Sequence, residues 1–547
     1  MRDKRAFSTS LLKGRFSTCA FLGLIALEVA LIWAFPYFPS EDGPSHVHNA
    51  SVLANYDREP IYRDYYRLTL FRPAGNMLTQ FVLAGLLRLA GLRLAEKLFL
   101  TGYVILLPVS FRYALRALTP HDGFSFFGLI LVPNYFLYMG LWNFCYSIAF
   151  LFLTLGFYFR HERRWTWRSI LALSASGFVV YLTHAVSWVI CLIAVAGWGA
   201  VQLATDVWGE RGGEFWAALR SGLGQFAIPL FALLPPAILM LMHLAGSKEE
   251  TLCGVESLRR RLHRLCNLEF LRGIAPSDLV LAKVVVAILV FLLVLAVVFA
   301  LQRRLERWSG VGVLVVSLVC AVVAVLGPDC IGTGLFIHKR VGLYACSFFA
   351  LWLAMQSWPT WVLRIVPVAF CAITLWSLIA RFPVHQRLSR ELAEFVAVGQ
   401  RTLPQRTALL VELQPFPEGA GEIWPLEHAL GLLSDRAIID LDNYEAFTDY
   451  FSTSFRLERS PSPALGTESQ LEAVPPVFDI ERYERETRGR VDYILVLGNI
   501  ESSQSDGQKG EMKLYGNQLA PYHMVSSGQD GEFRLYERTS PQSEPPR

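Results

Sequence analysis

Apolar runs close to 20 residues long recur between residues 18 and 382, with short polar or charged segments between them. They fall at roughly 18–38, 76–92, 98–118, 124–139, 142–160, 168–184, 186–204, 221–243, 279–302, 310–327, 341–357 and 362–382. A helical run of that length reaches across a hydrocarbon core of about 30 Å. The pattern predicts a mainly α fold, a polytopic transmembrane helical bundle of about 11–12 spans over residues 1–382. No internal repeat is visible. One stretch breaks the rhythm. PNYFLYMGLWNF carries Pro133 and Asn134, then Gly140 and Asn143, which predicts a re-entrant or interfacial segment somewhere in 76–139. With that segment not crossing, the loops holding Arg160, Arg163, Arg164 and Arg168, then Arg211 and Arg220, then Arg303, Arg304 and Arg307, join the basic N-terminus on the cytoplasmic side. The C-terminus then lies outside, and so do the long loops 39–75 and 244–278, the latter with Glu249, Glu250 and the basic run ESLRRRLHRL.

After residue 382 the period changes. Residues 384–401 keep a helical rhythm with many charges, and LEHALGLL reads as a short helix. TALLVEL (407–413), AIIDL (437–441), VDYILVLG (491–498) and EFRLYER (532–538) read as strands by length and β-branched content. SPSPALGTE and the terminal SPQSEPPR read as loop and flexible tail. Residues 383–547 are thus expected to form a small α/β domain, extracytoplasmic by the loop charges, and the expected division is 1–382 and 383–547.

Composition supports the membrane reading. The chain of 547 residues is 53% hydrophobic and only 18% charged, with a mean hydropathy of +0.37. A soluble protein of this length would carry more charge. The net charge of +4 is spread over loops and gives no nucleic-acid signature. Nine cysteines, most of them inside apolar runs, read as small hydrophobes. Cys253 and Cys266 share one loop and can pair if that loop faces an oxidising compartment.

Candidate chemistry starts at PSEDGPSHVHNA, residues 39–50, directly after the first run. A carboxylate just above a span can take a proton from a hydroxyl or hold a divalent cation, and burial raises its proton affinity. Glu41 and Asp42 are adjacent, so on extended backbone they point apart and one of them faces a site. His46 and His48, two apart, suit one face of a strand. Asp42 and His46, four apart, share a face only if a helix begins before Pro44. The simpler alternative is a solvated turn that ends the first span. In GPDCIGTGLFIHKR, Lys339 and Arg340 stand where a span begins and can grip phosphate oxygens, or merely snorkel. His184, in YLTHAVSW, splits a long apolar stretch and can donate to a phosphate or sugar. Asn143 satisfies backbone at the broken helix or touches substrate. Glu28, inside the first run, is expected to pair with Arg88 or Arg112. DLDNYEAFTDYF is acidic and aromatic, which suits a sugar, although such stretches usually pack.

These motifs together resemble the GT-C superfamily of polytopic glycosyltransferases: PSEDGPSHVHNASVL after a first span, FRPAGNMLTQFVL re-entering the membrane, the broken FLYMGLWNF, the YLTHAVSW hairpin, the late turn IHKRVGLYA and a terminal α/β domain. The resemblance implies transfer of a sugar from a polyprenyl-phosphate- or diphosphate-linked donor to an acceptor on the outer face of a bacterial inner membrane. By position, Asp42 matches the family's loop acid, a base or metal ligand, with Glu41 next to it. Lys339 and Arg340 match the basic residues that hold the carrier phosphate, and His46, His48, His184 and Asn143 join the substrate-binding set. A divalent cation, Mg or Mn, stays open, as does the acceptor. No WWDYG-like signature is present, which argues against a protein acceptor. Two other classes compete: a transporter or flippase of a lipid-linked or amphipathic solute, and a non-catalytic envelope polysaccharide assembly protein.

Overall fold

The structure is a computed structural model that describes residues 2–70, 75–162, 164–209, 215–246, 256–302, 310–330, 334–413, 423–448, 450–471, 473–474, 476–498 and 517–539. Glu249, Glu250, Cys253, Arg163, Arg211, Arg303, Arg304, Arg307 and the terminal SPQSEPPR lie outside the described residues. Two compact units emerge: Met1–Ala34, Pro73–Thr79 and Leu100–Pro383 form the first, and Phe35–Arg72, Gln80–Phe99 and Val384–Arg547 the second.

Among the described residues, six helices are long and apolar enough to cross a membrane: Ser17–Ala34, Leu92–Leu118, Trp142–His161, Ala185–Trp208, Asp278–Gln302 and Thr360–Gly399. Phe215–Leu233 and Pro236–Ala245, bent by 50° at their junction, make a seventh if counted as one span. Met77–Leu89, Trp167–Thr183 and Val311–Leu326 are apolar but shorter. The expected count of 11–12 is therefore not reached by length and composition. The 13 residues of Met77–Leu89, for example, rise only about 20 Å. Asp278–Gln302 is apolar all round and leaves Val290, Phe291, Val294 and Leu301 exposed, as a helix facing lipid does.

The broken segment lies where the sequence places it. A 3₁₀ turn, Asp122–Phe126, leads into the short helices Phe127–Ile130 and Tyr135–Met139. Asn134 starts the last of these by accepting from the Leu137 N–H at 3.1 Å. Gly140, at φ 92°, ends it in the left-handed region that suits glycine. His184 likewise interrupts two helices, Trp167–Thr183 and Ala185–Gly209, with extended backbone.

Glu28 is indeed paired, but with Arg381 rather than Arg88 or Arg112. Arg381 Nη2 donates to Glu28 Oε1 at 2.8 Å, and Nη1 donates to the Tyr138 hydroxyl at 2.9 Å. Arg112 instead meets Asp122, and Arg88 donates to the Ala54 carbonyl. The proposed Cys253–Cys266 link is also corrected: Cys266 is free and exposed, whereas Cys330 is disulfide-bonded.

The second unit is built on a five-stranded sheet. Its strands are β2 (Thr407–Glu412), β3 (Ile439–Asp440), β5 (Tyr493–Leu497), β6 (Tyr522–Ser527) and β7 (Phe533–Arg538), in the order β3-β2-β5-β7-β6. β3, β2 and β5 run parallel, and the β6–β7 hairpin closes the edge antiparallel. A separate antiparallel pair joins β1 (Tyr66–Leu68) to β4 (Thr453–Phe455). The two-residue period of β2 and β5 sends Leu409, Val411, Ile494 and Val496 to one side, against Val52, Tyr62, Tyr65 and Tyr66. Leu410, Leu495 and Leu497 go to the other side, against Leu392, Phe395 and Val396. Burial on both faces matches the unbroken apolar run of a central parallel strand. The 39–70 loop is thereby part of the core of this unit.

Candidate functional site

The stretch after the first span is neither a solvated turn nor a strand. Gly43–Asn55 is an α-helix with Pro44 in its first turn, a position proline favours because the missing N–H has no partner there anyway. Asp42 precedes the helix in αR backbone, and the His46 N–H donates to the Asp42 carbonyl at 3.1 Å. Asp42 and His46 therefore share one turn, while His46 and His48 diverge, correcting the strand-face expectation. Glu41, Asp42, His46 and His48 are all buried.

Their partners come from the C-terminal ends of parallel strands β2 and β3, where open sheets generally place ligands. After β2, residues 424–428 supply Trp424, Glu427 and His428; after β3, residues 443–445 supply Asn443, Tyr444 and Glu445. The Trp424 N–H donates to Glu41 Oε2 at 2.6 Å, and Glu41 shares a hydrogen bond with Glu427. His428 Nε2 lies 3.6 Å from Asp42 Oδ1, the Tyr444 hydroxyl donates to Asp42, and the His428 and Tyr444 rings sit 4.8 Å apart. Glu445, fully buried, meets His46 Nδ1 through Oε1. Its Oε2 accepts from Asn49 Nδ2 at 2.9 Å and from Gln80 Nε2 at 3.1 Å. Asn49 and Asn443 exchange amide hydrogen bonds at 3.0 and 3.1 Å. Adjacency did not force Glu41 and Asp42 apart: both are engaged in this one cluster.

Burial raises the Asp42 carboxyl to about 7, with Glu427 and Glu445 adding to the rise and His46 and Tyr444 opposing it. Glu41 is pushed well above the carboxylate range by burial and by the charges of Glu427 and Asp42. In that pair Glu41 keeps the proton and donates it to Glu427. Glu412, at the end of β2, rises to about 8 through burial and Glu427. Burial lowers His428 to about 3, with His46 contributing, so His428 is neutral beside Asp42. His48 is lowered to about 4 by burial. It sits between the Ser434 hydroxyl at 2.9 Å and the Tyr66 hydroxyl at 3.2 Å, a structural role. The arrangement is suited to exchanging protons near neutral pH. Among the described residues, no group of three or more His, Cys, Asp or Glu is placed to hold a metal ion.

The first unit holds the other candidates together. Arg340 Nη1 lies 2.7 Å from His184 Nε2. Because guanidinium only donates, His184 accepts there and carries its ring proton on Nδ1. The guanidinium also sits 5.3 Å from the Phe144 ring centre, and Lys339 Nζ lies 3.7 Å from that of Tyr135. Both cations are buried in the Ile337–Ala354 helix, which rules out simple snorkelling. Close by, the Tyr344 hydroxyl donates to Ser187 Oγ at 2.6 Å, and Ser147 Oγ meets the same atom at 2.5 Å. Asn143 serves backbone, accepting from the Phe144 N–H at 2.8 Å.

Glu427 and His428 join the cluster without having been singled out in the sequence, whereas Tyr444 and Glu445 fall in DLDNYEAFTDYF, noted there only as a stretch that suits a sugar or packs. Their signal was an acid or aromatic residue paired with a His or Glu, shortly after each of two predicted strands. No protein-family model matches this chain, and no curated protein matches it.

Proposed function

We propose that this chain is a membrane glycosyltransferase that moves a sugar from a polyprenyl-phosphate- or diphosphate-linked donor to an acceptor on the outer face of the membrane. The observation that carries the reading is Asp42, a buried carboxyl raised to about 7 and held eight residues beyond an apolar helix, beside neutral His428 and the Tyr444 hydroxyl. A base with that proton affinity is partly ionised at neutral pH and strong enough to assist a hydroxyl. In the reaction the acceptor O–H bond breaks and its proton passes to Asp42. The oxygen's electron pair forms the bond to the anomeric carbon, and the bond from that carbon to the carrier phosphate breaks with its electrons kept by the phosphate. Within the first unit, Lys339 and Arg340 are the buried cations whose chemistry suits a lipid phosphate, with His184 accepting from Arg340.

A transporter or flippase is the second reading. It draws on the Glu28–Arg381 pair, since an ionisable pair among apolar helices is costly and commonly functional. The lipid extract of a strain lacking the gene separates the two. The glycosyltransferase reading expects a polyprenyl-linked sugar to accumulate, to vanish on complementation with wild type, and to persist with Asp42→Asn produced at wild-type level. Identical extracts from all three strains would sink it, and solute-dependent uptake into vesicles would favour transport.

A further inference from the structure

The basic run that the proposed reaction does not use is the helix Leu258–Cys266, LRRRLHRLC. One side of it is fixed to the protein. Arg261 donates to the Gly327 carbonyl. Arg264 reaches His338 Nε2 at 3.0 Å, Glu256 at 2.7 Å and Glu269 at 3.4 Å. Gly327 closes the apolar helix Val311–Leu326, and His338 lies in the first turn of Ile337–Ala354. The basic helix is thus secured where apolar helices end.

The other side is exposed and itself divided. Leu258, Leu262 and Cys266 recur every four residues and form one exposed strip. Leu258 and Leu262 are 52% and 44% exposed, as much as Leu22 (53%) and Leu27 (48%) on the apolar helix Ser17–Ala34. Arg259, His263 and Arg260 form the adjoining exposed strip. Arg260 keeps only a 3.8 Å pair with Glu256, and Arg259 has no ion-pair partner among the described residues. An apolar strip beside a cationic strip is the pattern of a helix lying in a lipid–water boundary. The most apolar span of the chain, Asp278–Gln302, begins 12 residues later, which keeps the helix near that boundary.

We propose that Leu258–Cys266 is an interfacial helix whose exposed side binds anionic phospholipid, with Arg259 and Arg260 on the headgroup phosphates and Leu258 and Leu262 among the upper acyl chains. This inference is independent of the reaction proposed above. Charge complementarity selects the lipid class: arginine forks match phosphate oxygens, and zwitterionic headgroups offset that charge with their own cation.

The test uses the full chain in nanodiscs of phosphatidylcholine, with or without phosphatidylglycerol. A fluorophore on Cys266, in a Cys19→Ser background that removes the other exposed free thiol among the described residues, reports quenching by lipids spin-labelled near the headgroup. The expected result is quenching that is stronger when the label is on phosphatidylglycerol. Arg259→Gln and Arg260→Gln should each weaken that preference by roughly fivefold at low salt. Equal quenching by both lipids, in wild type and variants alike, would overturn the anionic selectivity. Absence of quenching by either would place the helix away from lipid and overturn the proposal. Leu258→Ser with Leu262→Ser adds a variant in which quenching falls but the phosphatidylglycerol preference survives. A preference that survives Arg259→Gln with Arg260→Gln would assign the lipid to other residues and overturn it too.

Discussion

Gly431→Ala tests whether the acid helix and the C-terminal segment are really packed into one site. Gly431 lies in the 3₁₀ helix Ala429–Arg436, between the residues that meet Asp42 and those that meet His48. A Cβ added there would fall inside the carbonyl group of Pro44, far below the 3.0 Å that real Cβ atoms keep. The obstacle is backbone in the first turn of the acid helix, so it cannot rotate away. Restoring ordinary contact needs a displacement on the order of 1 Å. Overpacking of this kind costs about 1–3 kcal/mol. For a unit of this size that lowers the melting temperature by roughly 2–4 °C per kcal/mol. A shift of 1 Å between a base and its neighbours costs on the order of 100-fold in rate, so activity should fall further than stability does. Gly85→Ala is the matched control, because its Cβ meets nothing within 4 Å on an exposed helix position. The assay is thermal unfolding of the purified chain, paired with the lipid-extract readout in complemented cells. If Gly431→Ala melts with wild type and clears the accumulated lipid as well as wild type does, the close packing of residues 429–436 on Pro44 is wrong.

Three further outcomes are expected. Asp42 binds its proton more tightly folded than unfolded, so its contribution makes stability fall as pH rises from about 4 through 7; Asp42→Asn should flatten that slope in melting curves and raise stability at pH 8, by roughly 4 kcal/mol at most. Glu445→Ala leaves the donors of His46, Asn49 and Gln80 facing a void, and a loss of about 3 kcal/mol, read by urea titration or limited proteolysis, should exceed that of Glu445→Gln. Arg381→Met strands the Glu28 carboxylate and should cost about 3–5 kcal/mol, most of it recovered by adding Glu28→Leu; no recovery in the double variant would mean that the pair is not the source of the loss.

What the sequence made legible was local. The strands at 407–413, 437–441, 491–498 and 532–538 are found in place as β2, β3, β5 and β7, because β-branched runs of that length identify buried strands without knowledge of their neighbours. The break at Pro133–Asn134 was visible because proline and glycine act on their own backbone. Of LEHALGLL only ALGLL is helical, in the 3₁₀ helix Ala429–Arg436, and residues 426–428 form the turn before it. β6, YHMVSS, escaped notice because an edge strand with one wet face carries little apolar signal, and β1 and β4 have three residues each.

The site was legible only by half. Glu41 and Asp42 stood out beside the first span, but Glu445 contacts Asn49 across 396 positions of chain. Arg381 pairs with Glu28 across 353. No local pattern specifies such partners, which depend on how β2 and β3 bring their carboxyl ends beside the Gly43–Asn55 helix. Reading His46 and His48 as a strand face failed for a related reason. Pro44 suits the first turn of a helix as well as it suits a loop, and packing on the 429–436 segment decides between them.

The most direct test of the central claim is a single-turnover experiment with the purified chain. Lipid extract from the strain lacking the gene is the donor source, and wild type or Asp42→Asn is added with a cell-envelope acceptor fraction. Mass spectrometry then follows the carrier. The account predicts that wild type converts polyprenyl-linked sugar to the bare polyprenyl phosphate or diphosphate while Asp42→Asn, equally folded, leaves it intact. Equal release by both proteins, or by neither, would contradict it.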